Sequence, residues 1–174
     1  MASLNVLFLI VLVASLQQIT TADRCPGRWI SWGHHCYRFV LEQMANWNNA
    51  EHRCRGLGLP GRPSHLASIH SKEEQNFLYE VFRLAVREVG FQEPRRIWDP
   101  RLFIGLVVRQ SANDLSWSDG SCVDYQNWFR GNEPNNYPQS GAQITDGNGK
   151  NGHWCDEGQL NNRQFHYVCK MPQR

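Results

Sequence analysis

Thiols and imidazoles are the side chains of this sequence with the widest chemical repertoire. Six cysteines are present: Cys25, Cys36, Cys54, Cys122, Cys155 and Cys169. None of them forms a Cys-x-x-Cys pair, which argues against a zinc ribbon or a dithiol redox centre. In an oxidising compartment the even count argues instead for all six being joined in disulfides. Of the seven histidines, His34, His35, His65, His70, His153 and His166 show neither His-x-x-x-His nor a Cys/His spacing, so a zinc site is not expected. Gly-x-Ser-x-Gly and His-Glu-x-x-His are absent too, and no unpaired thiol is expected to serve as a nucleophile. The chain is not expected to be an enzyme.

The oxidising compartment follows from the N-terminus. Met1 to Ala22 contain no Asp, Glu, Lys or Arg, carry an apolar core from Val6 to Leu16, and end in Thr20-Thr21-Ala22, small residues that suit signal peptidase. The segment is too short for a membrane span, and no later run is apolar enough. Residues 1–22 are therefore read as a cleaved secretory signal and 23–174 as one secreted, extracellular domain, large enough to bury a core. The formal charge of +2 is too small to imply nucleic acid. Even the arginine-rich stretch from Arg83 to Arg101 is diluted by Glu88, Glu93 and Asp99, and reads as a solvated face.

Several elements can be read from the spacing. Aromatic and apolar residues on either side of Gly33-His34 predict a hairpin closed by Cys25 and Cys36. Trp47, Ala50 and Cys54 fall on one face of a helix. A Gly/Pro-rich connector runs from Gly56 to Pro63. Ser71-Lys72-Glu73-Glu74 is a capping box, in which the Ser71 hydroxyl accepts from the Glu74 amide and the Glu74 carboxylate reaches back. Behind it Phe77, Val81 and Ala85, with Leu78 and Phe82 alongside, make the apolar stripe of a second helix. Leu102 to Leu106 is a short buried-strand run, Ser116-Trp117-Ser118 starts another, and Phe165 to Cys169 closes the chain as a strand. Between Asp119 and Trp154 lies a long polar stretch of the kind that is usually functional when it sits inside a compact domain. Helices early and strands late give an α+β order.

Taken together, these pieces resemble a long-form C-type lectin-like domain over essentially the whole mature chain. The resemblance rests on the Cys25/Cys36 hairpin, Trp47-x-x-Ala50-x-x-x-Cys54, His65-Leu66-Ala67-Ser68-Ile69 and Phe103-Ile104-Gly105-Leu106. It continues through Trp117-Ser118-Asp119-Gly120, Glu133-Pro134-Asn135, the Trp154/Asp156 pair and Cys169. The general look is that of short secreted lectins of marine invertebrates. The resemblance implies two helices flanking two small antiparallel sheets, a long loop shaped partly by calcium, and a Cys54–Cys169 disulfide beside Cys25–Cys36. It also implies that Glu133, Asn135 and Asp156 bind calcium and, on it, vicinal hydroxyls of mannose-, fucose- or N-acetylglucosamine-type glycans, with Pro134 in cis.

Against the family pattern the chain departs at five positions. The second cysteine pair of the long loop is replaced by Gln143 and, at its other end, about Gln159, while Cys122 and Cys155 are extra; the natural reading is a relocated Cys122–Cys155 staple. Two calcium-ligand positions fall on Gly141 and Cys155, and a disulfide sulfur is a poor ligand for a hard cation. Two carboxylates and one amide remain where calcium wants roughly 6–8 oxygens, so affinity is expected to fall towards about 10⁻³ M. Asp124, Asp146 or Glu157 would substitute only if the loop folds differently. Tyr137 and Trp128 are candidates to stack on a sugar ring, though both suit packing equally, and Trp47, Trp117 and Trp154 read as core. Two binding functions follow. One is a secreted lectin that recognises glycans through a weakened calcium site. The other is an extracellular matrix, mineral-associated or interaction protein using the fold as a scaffold. The oligomeric state is not legible.

Overall fold

Gly33 has φ 56°, the left-handed conformation a tight hairpin turn needs, and it folds β1 (Ile30–Trp32) back onto β2 (His35–Ala45) with Trp32 opposite His35. The Cys25–Cys36 disulfide ties this hairpin at its base. These elements belong to a computed structural model that describes residues 25–90, 100–109, 114–134, 140–147, 149–157 and 162–174. The signal segment 1–22, Asn135, Tyr137 and Gln159 lie outside the described residues.

Two helices follow. Asn46 caps α1 (Trp47–Gly56) by accepting from the Asn49 amide at 2.9 Å, and Trp47, Ala50 and Cys54 form its buried face, as their spacing predicts. After β3 (His65–Leu66), α2 (Lys72–Gly90) starts at the capping box, where Ser71 Oγ accepts from the Glu74 amide at 3.1 Å. The reciprocal half differs from the expectation. Glu74 Oε2 accepts from the His70 amide at 2.9 Å, and the rest of that side chain turns inward. Glu74, Gln75, Leu78 and Phe82 are the buried positions among the described side chains of the helix, while Phe77, Val81 and Ala85 lie at the margin of the stripe.

The strands form two antiparallel groups. One joins β1, β2, β3 and the terminal strand β8 (Phe165–Pro172). The other joins β4 (Arg101–Val108), β5 (Leu115–Trp117), β6 (Ser140–Thr145) and β7 (Trp154–Glu157). A parallel pairing of β4 with β8, Leu102 opposite His166, joins the groups into one mixed eight-stranded sheet. β6 lies within the stretch read as a polar loop. Its sequence Ser-Gly-Ala-Gln-Ile-Thr is buried throughout between β4 and β7, so it lacks the in–out alternation that marks a strand.

The Cys54–Cys169 disulfide links α1 to β8. Cys122 and Cys155, expected as a third staple, are instead free thiols, the first exposed and the second buried. Strand alternation gives the reason. Trp154 enters the aromatic core beside Trp117 and Tyr125, so its neighbour Cys155 turns the other way, to Asn132. Cys122 belongs with Ser121 and Asp124, which are anchored to His70. No helix among the described residues is long and apolar enough to cross a membrane.

Candidate functional site

Trp154 organises the end of the molecule where the expected site residues fall. It is fully buried, its indole N–H donates to Gln75 Oε1 at 2.6 Å, and Trp117, Tyr125 and Trp128 pack edge-on around it at 5.6–5.8 Å. Trp128 is thereby a packing residue, its own N–H donating to Gln126 Oε1 at 2.8 Å. The long segment is stitched to β7 by its backbone. The Trp154 amide donates to Asn127 O at 2.8 Å, the Phe129 amide to Trp154 O at 2.9 Å, and the Asp156 amide to Asn132 O at 3.4 Å. Cys155 Sγ adds a contact to Asn132 Oδ1 at 3.4 Å.

Asn132 therefore seats the Glu133 segment against Asp156, and the two expected acidic residues come from adjoining pieces of chain. Glu133 is exposed, and its carboxylate accepts from the Gly131 amide at 2.8 Å. Pro134 is buried and its peptide bond is trans, correcting the cis expectation; no described peptide bond is cis. Gly141 lies inside the sheet opposite Val107 and Glu157 and offers no side chain. Asp146 accepts from the Tyr79 hydroxyl and Asp124 bonds His70 Nδ1 at 2.7 Å, so neither replaces a lost ligand. Nothing in the sequence singled out Asn132, apart from its place beside Glu133.

Residues 43–171 match the model of the Lectin C-type domain. The chain belongs to the C-type lectin domain family. Echinoidin of Heliocidaris crassispina is 33% identical over 155 residues, covering 85% of this chain and 97% of its own. The solved structure of CEL-IV is similar with a TM-score of 0.74 at 37% identity, over 86% of this chain and 95% of that one. The C-type lectin CEL-I from Cucumaria echinata gives 0.68 at 29% identity, over 87% and 100%.

As a member of a calcium-using family, this lectin has a reduced donor set. Among the described residues no group of three His, Cys, Asp or Glu side chains is placed to hold a metal ion. Glu133 and Asp156 remain as carboxylates on segments joined through the Asn132 backbone, while positions 141 and 155 carry a glycine and a thiol. That set fits a weakly held calcium ion completed by water and backbone oxygens, not a tight cage.

A second polar assembly lies away from this end, and no sequence pattern announced it. Lys170 Nζ donates to Glu74 Oε1 at 2.6 Å and to Ser68 O and Oγ at 2.9 and 3.3 Å. Ser68 Oγ donates to Asp119 Oδ2 at 2.6 Å, and the Ser121 hydroxyl to Asp119 Oδ1 at 2.6 Å. Burial pushes the Asp119 carboxyl up, but hydrogen bonds from Ser121 and Ser68 outweigh it and hold it below the ordinary carboxylate value. Ser121, His70 and Asp124 follow one another in the order nucleophile, base, acid, with Ser121 Oγ 3.2 Å from His70 Nε2. The serine proton is directed to Asp119, however, and a carboxylate beside the hydroxyl would oppose any oxyanion formed there, so the trio does not make a nucleophilic relay.

Proposed function

We propose that this lectin is secreted after removal of residues 1–22 and that the domain 23–174 binds carbohydrate at the end built from residues 131–134 and β7. The reading rests on the Asn132 junction, where the Asp156 amide meets Asn132 O and brings the Glu133 segment alongside Asp156. Glu133, Asn135 and Asp156 would hold both the ion and the sugar, and glycans of mannose, fucose or N-acetylglucosamine type are the expected ligands. Calcium, when bound, supplies a positive centre for two vicinal sugar hydroxyls. The residues themselves orient those hydroxyls by hydrogen bonding, Glu133 and Asp156 as acceptors. With so few side-chain oxygens the calcium dissociation constant should lie near about 10⁻³ M.

The test is calcium titration of the mature, oxidised protein by calorimetry, followed by retention on mannose and galactose resins. Heat of calcium binding and elution from mannose by chelator support the reading; absence of both ends it. Gly141 and Cys155 favour a second reading, in which the fold serves as a scaffold for an extracellular matrix or mineral partner. Partner capture that survives Glu133→Gln with Asn135→Asp, in chelator, supports that one.

A further inference from the structure

Between β2, β3 and β8 the sheet carries a cavity of about 470 Å³ that shares no residue with the loop end. That volume lies in the range of small-ligand sites. His35 pairs with Pro172 and His65 with Lys170, so the two imidazoles stand on one face, on either side of β8. Asp119 and Ser121 close the far wall, and Pro63, Met171 and Pro172 give it apolar surface.

The chemistry of the lining narrows the ligand. Lys170 spends its three ammonium protons on Ser68 and Glu74, so it has none for an anion, and its charge is matched by Glu74. Asp119 differs, because its three hydrogen bonds come from the neutral donors Ser68 Oγ, Ser121 N and Ser121 Oγ. Among the described residues no cationic side chain lies within ion-pair distance of it. Asp119 is exposed on the cavity wall and feels the Lys170 charge only from beyond contact distance, so a carboxylate without a contacting counter-ion is open to a ligand that brings one. Metal is a poor candidate, since no three-ligand group is assembled among the described residues. An organic ammonium needs only one carboxylate and nearby acceptors. Two imidazoles supply the polar contacts a hydroxylated ring requires: the His35 ring, with no hydrogen bond among the described residues, and His65, whose Nδ1 is held by Glu51 at 2.7 Å and whose Nε2 is left for a ligand.

We propose that this cavity is a second carbohydrate site, independent of calcium, for sugars carrying a free amino group, with the ammonium on Asp119 and hydroxyls on His35 and His65. It does not rest on the loop-end reading, and the two are tested separately by working in saturating chelator. The probe is D-glucosamine, titrated into the mature protein in EDTA at pH 7 and followed by NMR chemical shifts or calorimetry, with N-acetyl-D-glucosamine as the uncharged counterpart. Glucosamine should bind in the millimolar range and the acetylated sugar about tenfold more weakly or worse. Asp119→Asn, which keeps the shape, should weaken glucosamine about tenfold, and His35→Gln should weaken it with melting temperature unchanged. If Asp119→Asn proves unstable, the His35→Gln result decides. Equal binding of both sugars, unaltered affinity in the variants, or no glucosamine binding at all overturns the proposal.

Discussion

Lys170 and Glu74 are both nearly inaccessible, 7% and 6% exposed at their side chains, and each is fully engaged: the ammonium by Ser68 and Glu74, the carboxylate by Lys170, the Tyr37 hydroxyl and the His70 amide. A buried pair of this kind does little for net stability, yet removing one member strands the other. Lys170→Met should therefore cost about 3–5 kcal/mol in urea unfolding, and adding Glu74→Gln should restore part of that loss. A double variant no more stable than the single would show that the charge is not what matters. The two thiols give a second measurement at this scale. Iodoacetamide should label Cys122 in the native protein and reach Cys155, 4% exposed, only after unfolding. Protection of both thiols until reduction would restore the staple that strand alternation rules out. These residues also show where reading the sequence stops. Glu74 was legible as a capping residue because its partner Ser71 is three positions away, whereas Lys170 lies 96 positions away and no local pattern connects them.

At the scale of elements, β6 and the turn leading into β7 bear directly on the site, because they fix where Asp156 sits. Gly152 ends that turn at φ 85°, and a Cβ there would lie 2.6 Å from the Tyr79 ring. Its amide donates to Thr145 O and its carbonyl accepts from Gln75 Nε2 at 2.8 Å, so the turn is clamped between β6 and α2. Gly149, at φ 73°, meets nothing within 4 Å. Gly149→Ala should cost about 1–2 kcal/mol for the backbone alone, and Gly152→Ala a further 1–3 kcal/mol or so for the ring overlap. Thermal unfolding of the two variants separates the terms; equal losses would mean that Tyr79 moves freely aside. The amphipathic helices and the β4 run were legible because one face or a short apolar block carries the signal. β6 was not, since a strand covered on both sides, with only Ala142 and Ile144 apolar among Ser, Gly, Gln and Thr, carries too short a pattern to detect.

For the whole molecule, the order of motifs along the chain was enough to indicate the fold, because Trp47 packs in one core cluster and Trp117 and Trp154 in the other, with β4 contributing Phe103 to the first and Ile104 to the second. Trp47 donates to Ile104 O at 2.8 Å, and Gly105 lies so close to Leu66 O and Ser118 that a Cβ there would be 2.6–2.8 Å away. The state of the site's second half was not legible, since it depends on which face of β7 a single cysteine occupies. The same assembly sets the response to acid. His166 on β8 is 4% exposed and packs edge-on to Phe82 at 6.2 Å. Burial lowers its pKa from the ordinary 6.5, against a smaller upward pull from the Leu41 backbone. His35 is lowered likewise, by burial first and then by the Lys170 charge. In both cases the unfolded chain takes up a proton before the folded one does. Stability is thus complete above 6.5 and is lost as pH falls from there towards the depressed folded values. The melting temperature should drop between pH 7 and pH 5, above the range where carboxylates titrate, and His166→Phe should shallow that slope by removing one of the two protonations. A melting temperature that holds level or rises on acidification, or a slope that the variant leaves unaltered, would mean that these imidazoles reach water before the fold gives way.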